Sequence, residues 1–196
     1  MESKLRRRDP AHTRRSLKIA ARNLFNTEGY FATDSNRIAR AAGFAPGSFY
    51  RHFTDKLEIF IEVYRDWHWE HMQELERALS LTADNTEISI QMSEIILHFY
   101  GQWKIFRASI RMIELTVPQL SAFKNQRRVE LVDLLVLQRK KLLLAPRSRN
   151  DLVTFILVLE CLADAHLDGE YTLAGLSDEA SKEELAALIG DFIAAG

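Results

Sequence analysis

Residues 17–60 read LKIAARNLFNTEGYFATDSNRIARAAGFAPGSFYRHFTDKLEIF. Leu17, Ala20, Ala21, Leu24 and Phe25 recur at i, i+3, i+4, i+7 and i+8, the buried stripe of an amphipathic helix. That helix ends near Glu28-Gly29, where glycine can take the left-handed conformation that closes a helix. Thr33 then precedes a short helix with Ser35, Ile38, Ala39 and Ala42 on its inner face; its hydroxyl is the expected cap, and Asp34 suits the positive helix end. Gly43 stops that helix and Phe44-Ala45 make the turn. Pro46 suits the first position of a two-turn helix, Pro46 to Phe53. Thr54 caps a fourth, long helix with Asp55 in its first turn.

The same grammar continues to the end of the chain. Only 8 glycines and 4 prolines interrupt 196 residues, and no alternating strand of useful length occurs. Leu57, Phe60, Ile61, Tyr64, His68, His71, Met72, Leu75 and Leu79 hold helical spacing to about Leu81. A polar break follows at Thr82–Asn85, with a capping box expected at Asp84/Glu87. Ile88, Met92, Ile95, Phe99, Trp103 and Phe106 mark the next helix. A short one covers Phe106 to Leu115, and a long one runs from Pro118 to about Leu144, closed by Pro146. Asp151 to Asp168 is apolar around most of its circumference. The last helix runs from a capping box at Ser181/Glu184 to about Ala194. The expected fold class is all-α, about nine helices, with a three-helix head (1–56) and a helical-bundle body (57–196).

Charge divides the chain at the same place. Residues 1–56 carry 12 Lys/Arg against 5 Asp/Glu, a net +7, while the remainder carries a net −8. A basic head on an acidic body is the footprint of a protein that meets phosphates at one end. No signal peptide opens the chain, and its longest apolar run, Leu152 to Leu159, is far short of a membrane span; a cytoplasmic protein with no membrane contact is expected. The single Cys161 excludes an intrachain disulfide and lies in an apolar run, so a buried thiol is expected. No glycine-rich phosphate loop, nucleophile elbow or metal quartet is present. His68 and His71, near Glu70 and Glu74, lack a third ligand at metal spacing and read as structural. Neither an enzyme, a cofactor nor a metal is expected.

Three short helices with a glycine turn before the third make a helix-turn-helix, in which the last helix lies in the major groove with its N-terminal residues at base edges. The inner face must be small, as Ala39, Ala42 and Gly43 are; the outer face needs hydrogen-bonding groups, which Ser48, Tyr50, Arg51 and His52 supply. Residues 17–64 resemble the DNA-binding head of the tetracycline-repressor (TetR) family. The resemblance rests on the alanine-rich first helix ending in Leu24-Phe25, the glycine-aromatic turn, Thr33, Ile38-Ala39, Ala42-Gly43, Gly47 to Phe53, and Lys56. It implies that Thr33 caps the second helix and touches a phosphate. It implies that Pro46, Gly47 and Ser48 approach base edges, that Tyr50 and His52 reach phosphates or the groove wall, and that Lys56 meets a phosphate. Arg51 points to the groove, where a bidentate contact to guanine discriminates by roughly 1–3 kcal/mol. Tyr50 and Phe53 alternatively pack the head core. Arg37 and Arg40 either meet phosphates or are solvated, and the arm Lys4–Arg8 either tracks DNA or is a solvated tail. Two departures stand out: Ala45 replaces the family's small hydroxyl residue, and Asp34 is acidic.

The resemblance also implies a homodimeric repressor on a palindromic double-stranded operator, released by a small-molecule effector bound in the body; the other readings are a regulator of the same architecture without an effector (an activator or a partner-controlled one) and a helical adaptor that has lost DNA binding. Phe99, Trp103, Phe106, Arg107, Met112, Phe155 and Glu160 are the candidate effector residues, with ordinary core packing as the other reading of the aromatic ones. Glu160 and Asp164 sit one turn apart on the most apolar helix and need partners, either a cationic ligand or a second subunit. A helix apolar all round needs cover on every side. Phe155, Leu159, Leu162, Leu185, Leu188, Ile189 and Phe192 are the candidate dimer contacts.

Overall fold

The computed structural model describes residues 9–78 and 85–194, and the regular structure in them is helical throughout. The basic arm Lys4–Arg8, the end of the stripe at Leu79–Leu81 and the polar break with its Asp84 cap lie outside the described residues. Helix α1 spans Pro10–Thr27; it starts ahead of its apolar stripe because Asp9 accepts a hydrogen bond from the Ala11 N–H and Pro10 fits the first turn. Leu17, Ala20, Ala21 and Phe25 are buried, as their spacing requires. Gly29 follows at φ +83°, and a Cβ there would stand 3.3 Å from Ser109 Oγ.

Helix α2 (Ser35–Ala41) is capped by Asp34, whose carboxylate accepts from the Arg37 N–H at 2.8 Å. Thr33, the expected cap, stands one residue too early; its hydroxyl turns inward and donates to the Gly29 carbonyl at 2.9 Å. The turn after α2 closes when the Phe44 N–H reaches the Ala39 carbonyl (2.9 Å), with Gly43 at φ +78°. The next element, η1 (Pro46–Arg51), is a 3₁₀-helix rather than the expected two turns of α-helix. Ala45 offers no side-chain oxygen to its free N–H groups, and Gly47 is a poor helix former, so the segment tightens into i→i+3 bonds from Ser48 to Ala45 and from His52 to Phe49.

Helix α3 (Lys56–Ala78) is capped by Asp55, not Thr54: the Glu58 N–H donates to Asp55 at 2.8 Å, and Glu58 reaches back to the Thr54 N–H. The chain divides into two compact units within this helix. The first, a head unit, runs to Trp67 and takes in Ile105–Thr116, which includes nearly all of α5 (Lys104–Glu114); the boundary expected near residue 56 falls where α3 begins. Inside the head, Phe60 meets Phe25 at 5.1 Å, Tyr30 at 5.0 Å and Phe106 at 4.8 Å. These rings join α1, α3 and α5 into one aromatic core.

The second, a body unit, holds His68–Lys104 and the chain from Val117 onward. It contains α4 (Asn85–Gln102), α6 (Pro118–Lys141), α7 (Arg149–Asp168), the single turn α8 (Glu170–Leu173) and α9 (Asp178–Ala194). Helix α7 packs on α4, α6 and α9, and α4 also packs on α9. A capping box at Ser148/Asp151 starts α7. Helix α9 begins before the expected box at Ser181: Ser177 accepts from the Ala180 N–H, and Ser181 is buried with its hydroxyl on the Asp178 carbonyl. Helix α6 ends through Leu143, which takes φ +56° without being glycine.

Helix α7 buries one stripe, Leu152, Ile156, Leu159 and Ala163, and leaves another, Val153, Leu157 and Val158, about 40% exposed. Cys161 is exposed on that second stripe, which corrects the expected buried thiol: it lies four residues after Leu157 and three after Val158, on the face this chain alone does not cover. The expected dimer contacts divide the same way. Leu159, Leu185 and Ile189 are buried within the chain, Phe155 stacks on Phe192 at 3.7 Å, and Leu162 and Leu188 are half-buried. In a helix apolar all round, periodicity does not say which stripe faces inward.

Candidate nucleic-acid interface and ligand cavity

In the head, η1 hangs on one anchor. Phe49 is fully buried and meets Phe53 at 5.6 Å, while Pro46, Gly47, Tyr50 and Arg51 face outward and Ser48 and His52 are half-buried. Tyr50, 60% exposed, is not a core residue; its hydroxyl shares a hydrogen bond with Ser35 at 2.7 Å, which ties η1 to the start of α2. A Cβ at Gly47 would meet nothing within 4 Å. The structure thus presents Pro46, Gly47, Ser48, Tyr50 and Arg51 together on one short convex element, with an arginine and two hydroxyls on it. Phe53 is buried and packs the head, its ring 4.2 Å from the Arg14 guanidinium.

Two of the residues expected at DNA point elsewhere. Thr33 is 2% exposed with its hydroxyl on the Gly29 carbonyl. Lys56 donates to the carbonyls of Tyr30 and Thr33, both at 2.8 Å, and its ammonium sits 3.9 Å from the Tyr30 ring. Burial lowers its pKa, opposed in part by the Asp34 carboxylate. Lys56 is a staple across the Tyr30–Thr33 turn. Arg37 is exposed but bound: its guanidinium forks onto Glu28 at 2.5 and 2.6 Å and also reaches the Ala32 carbonyl. Arg14 donates to the His52 carbonyl and to Glu62, and Lys18 holds Asp66 at 2.7 Å, so the exit of η1 is fixed onto α1 and α3.

The body unit encloses a cavity of about 80 Å³ between α3, α4, α6, α7 and α9. Its walls are overwhelmingly aliphatic; the polar lining is His71, Tyr100, Gln138, Arg139 and Glu160. Of the effector residues expected from sequence, Phe155 and Glu160 line it. Phe99 lies behind the wall, stacked on His71 at 4.9 Å, and Trp103 is buried in the body away from the cavity. Phe106 and Arg107 belong to the head unit, where the Arg107 guanidinium lies 5.8 Å from the Trp67 ring, and Met112 is exposed. Those three corrections share a cause: α5 continues the aromatic rhythm of α4, but the chain has by then passed from body to head. The partner that Glu160 needs is Arg128, at 2.6 and 3.2 Å.

Residues 19–63 match the family of bacterial regulatory proteins, tetR family. The head is that of the TetR family. The chain is 34% identical over 101 residues to an uncharacterised HTH-type transcriptional regulator of Haemophilus influenzae, a match spanning 50% of this chain and 49% of that relative. It is 26% identical over 179 residues to the HTH-type transcriptional repressor Rv1474c of Mycobacterium tuberculosis, covering 91% and 90%. A transcriptional regulator of Saccharomonospora viridis, solved in complex with choline, superposes with a TM-score of 0.71 at 18% identity over 91% of this chain and 96% of that one. The TetR-family head is the stretch that closes around Phe49 and Phe60. In the body, the cavity residues Gln138 and Arg139 were not among the residues expected from the sequence. The signal was there: with Leu131, Leu135 and Leu142 they share one helical stripe of α6, and two polar residues inside an apolar stripe mark something to be bound.

Proposed function

We propose that the protein is a homodimeric repressor that reads a palindromic DNA operator with η1 and leaves it when a small molecule fills the body cavity. The observation that carries the reading is the outward row Pro46, Gly47, Ser48, Tyr50 and Arg51 on a head of net +7. Its donors suit base edges, and its short element suits the major groove. The uncovered stripe Val153, Leu157 and Val158 supports a second copy packed on α7. The repressor named in Mycobacterium tuberculosis and the choline complex in Saccharomonospora viridis support repression and ligand response. Relatives named as transcriptional regulators argue against an enzyme. No helix among the described residues is long and apolar enough to cross a membrane, in keeping with action at cytoplasmic DNA.

Helix α3 is common to both units: its first turns lie in the head, and His71 and Leu75 line the cavity. A ligand that prefers one setting of α3 selects one spacing of the two heads, and half-sites tolerate only spacings near whole helical turns. Selection of bound sequences from a random duplex pool tests the reading. A palindrome should emerge, and its binding should be lost in an Arg51→Ala/Tyr50→Ala variant. Leu157→Glu should give a monomer in sedimentation and weaken binding to the full palindrome more than to one half-site. Failure of any sequence to enrich, or an unchanged dimer in Leu157→Glu, rejects the corresponding part.

A further inference from the structure

The cavity has chemically different ends. At one, Glu160 lies against Arg128, so that its charge is matched. At the other, Gln138 and Arg139 stand ten and eleven residues farther along α6 than Arg128, on the order of 15–16 Å at the helical rise. Gln138 is 7% exposed, lines the cavity, and its side-chain amide has no hydrogen-bond partner among the described residues. Arg139 is 6% exposed and has no carboxylate within ion-pair distance among the described residues. Its guanidinium instead donates to two carbonyls, Ala145 through Nε and Nη2 (2.9 and 2.7 Å) and Phe192 through Nη1 (3.1 Å). Three bonds leave two of the five N–H donors of the guanidinium uncommitted. Arg147 brings a second guanidinium to the Phe192 ring, each at 5.4 Å.

A buried charge without a counter-charge is costly, and the Gln138 amide opens onto the same cavity with no hydrogen bond to the chain, so one chemistry answers both. We infer that the cavity binds an amphipathic carboxylic acid, its carboxylate on Arg139 and Gln138 and its apolar body among the aliphatic side chains of α4, α7 and α9. The inference deepens the effector reading and rests on it. The carboxylate accepts from the free guanidinium donors and the Gln138 amide N–H; the hydrocarbon displaces water from walls that offer it few partners. A volume of about 80 Å³ holds roughly five to eight water-sized groups. That matches a short chain or a single ring rather than a long lipid.

The test uses the full chain with octanoate, octanol and octylammonium in calorimetric titration, and the operator in a separate DNA-binding assay. Octanoate should bind roughly tenfold or more tightly than octanol, with octylammonium weakest. Gln138→Leu should leave the melting temperature of the free chain little changed, since the amide makes no hydrogen bond to the chain, yet weaken octanoate several-fold. Arg139→Lys should weaken octanoate roughly tenfold, because lysine lacks the planar fork. Octanol equal to octanoate, octylammonium tighter than either, no binding by any of the three, or unchanged octanoate affinity in Gln138→Leu and Arg139→Lys overturns the inference. Octanoate that binds as expected without loosening DNA leaves this site standing and rejects effector release. Octanol that binds as well as octanoate and loosens DNA does the reverse.

Discussion

Two glycines of the head separate what folding requires from what binding requires. Gly29 has φ +83° and faces Ser109 across a gap that a methyl group would narrow to 3.3 Å, so Gly29→Ala should cost about 1–2 kcal/mol in denaturant unfolding. Gly47 has open space where its Cβ would be and ordinary backbone angles. Gly47→Ala should leave the melting temperature unchanged or slightly higher, since alanine is the better helix former. If η1 lies in the groove as proposed, the added methyl should weaken operator binding roughly tenfold, about 1.4 kcal/mol. Full operator affinity in Gly47→Ala would remove that glycine from the interface. The residue types at these sites were legible in the sequence; their directions were not. Thr33 and Lys56 sit in the right register for phosphate contact, yet the carbonyls of Gly29, Tyr30 and Thr33 bind them first. Only the path of the Tyr30–Thr33 turn decides that competition.

The helices were legible in proportion to the strength of their periodicity. The stripes of α1 and α2 appear where their spacing puts them, whereas caps slipped by one to four residues: Asp34 for Thr33, Asp55 for Thr54, Ser177 for Ser181. Neighbouring oxygens of similar chemistry compete for the same N–H groups, and backbone geometry chooses among them. Helix α6 ends in a similar competition. Leu143 occupies the left-handed position that glycine usually fills, with the Leu144 N–H closing back on the Arg139 carbonyl at 2.9 Å. Because Leu143 is almost fully exposed, nothing is lost from the core by removing its side chain. Leu143→Gly should therefore stabilise the protein by about 0.5–1 kcal/mol, read as a higher denaturation midpoint at constant slope. A lower midpoint would mean that the leucine is covered in the assembled protein.

For the molecule as a whole, acid is the informative perturbation. His68 begins the body unit's share of α3 and faces Glu130 at 3.5 Å and Arg127 from α6. Burial, aided by Arg127, lowers its pKa from 6.5 to about 4. Between those values the unfolded chain takes up a proton that the folded chain refuses, so His68 favours folding fully above pH 6.5 and progressively less as pH falls toward 4. Stability at pH 5 should be about 1–2 kcal/mol below that at pH 7.5, and His68→Gln should flatten the difference. An equally steep acid loss in His68→Gln would assign it to other groups. The charge asymmetry turns over near residue 56, whereas the compact units divide after Trp67; the membership of α5 in the head unit was not legible, because the segment is remote in sequence and joins through Phe106, one aromatic among many. The inward turn of Lys56 reaches beyond the fold. A cation held by two carbonyls and a ring is not free to displace counterions from a duplex, so fewer would be released on binding than the head's charge of +7 suggests. If the head binds an operator as proposed, its affinity should fall less steeply with salt than that charge implies.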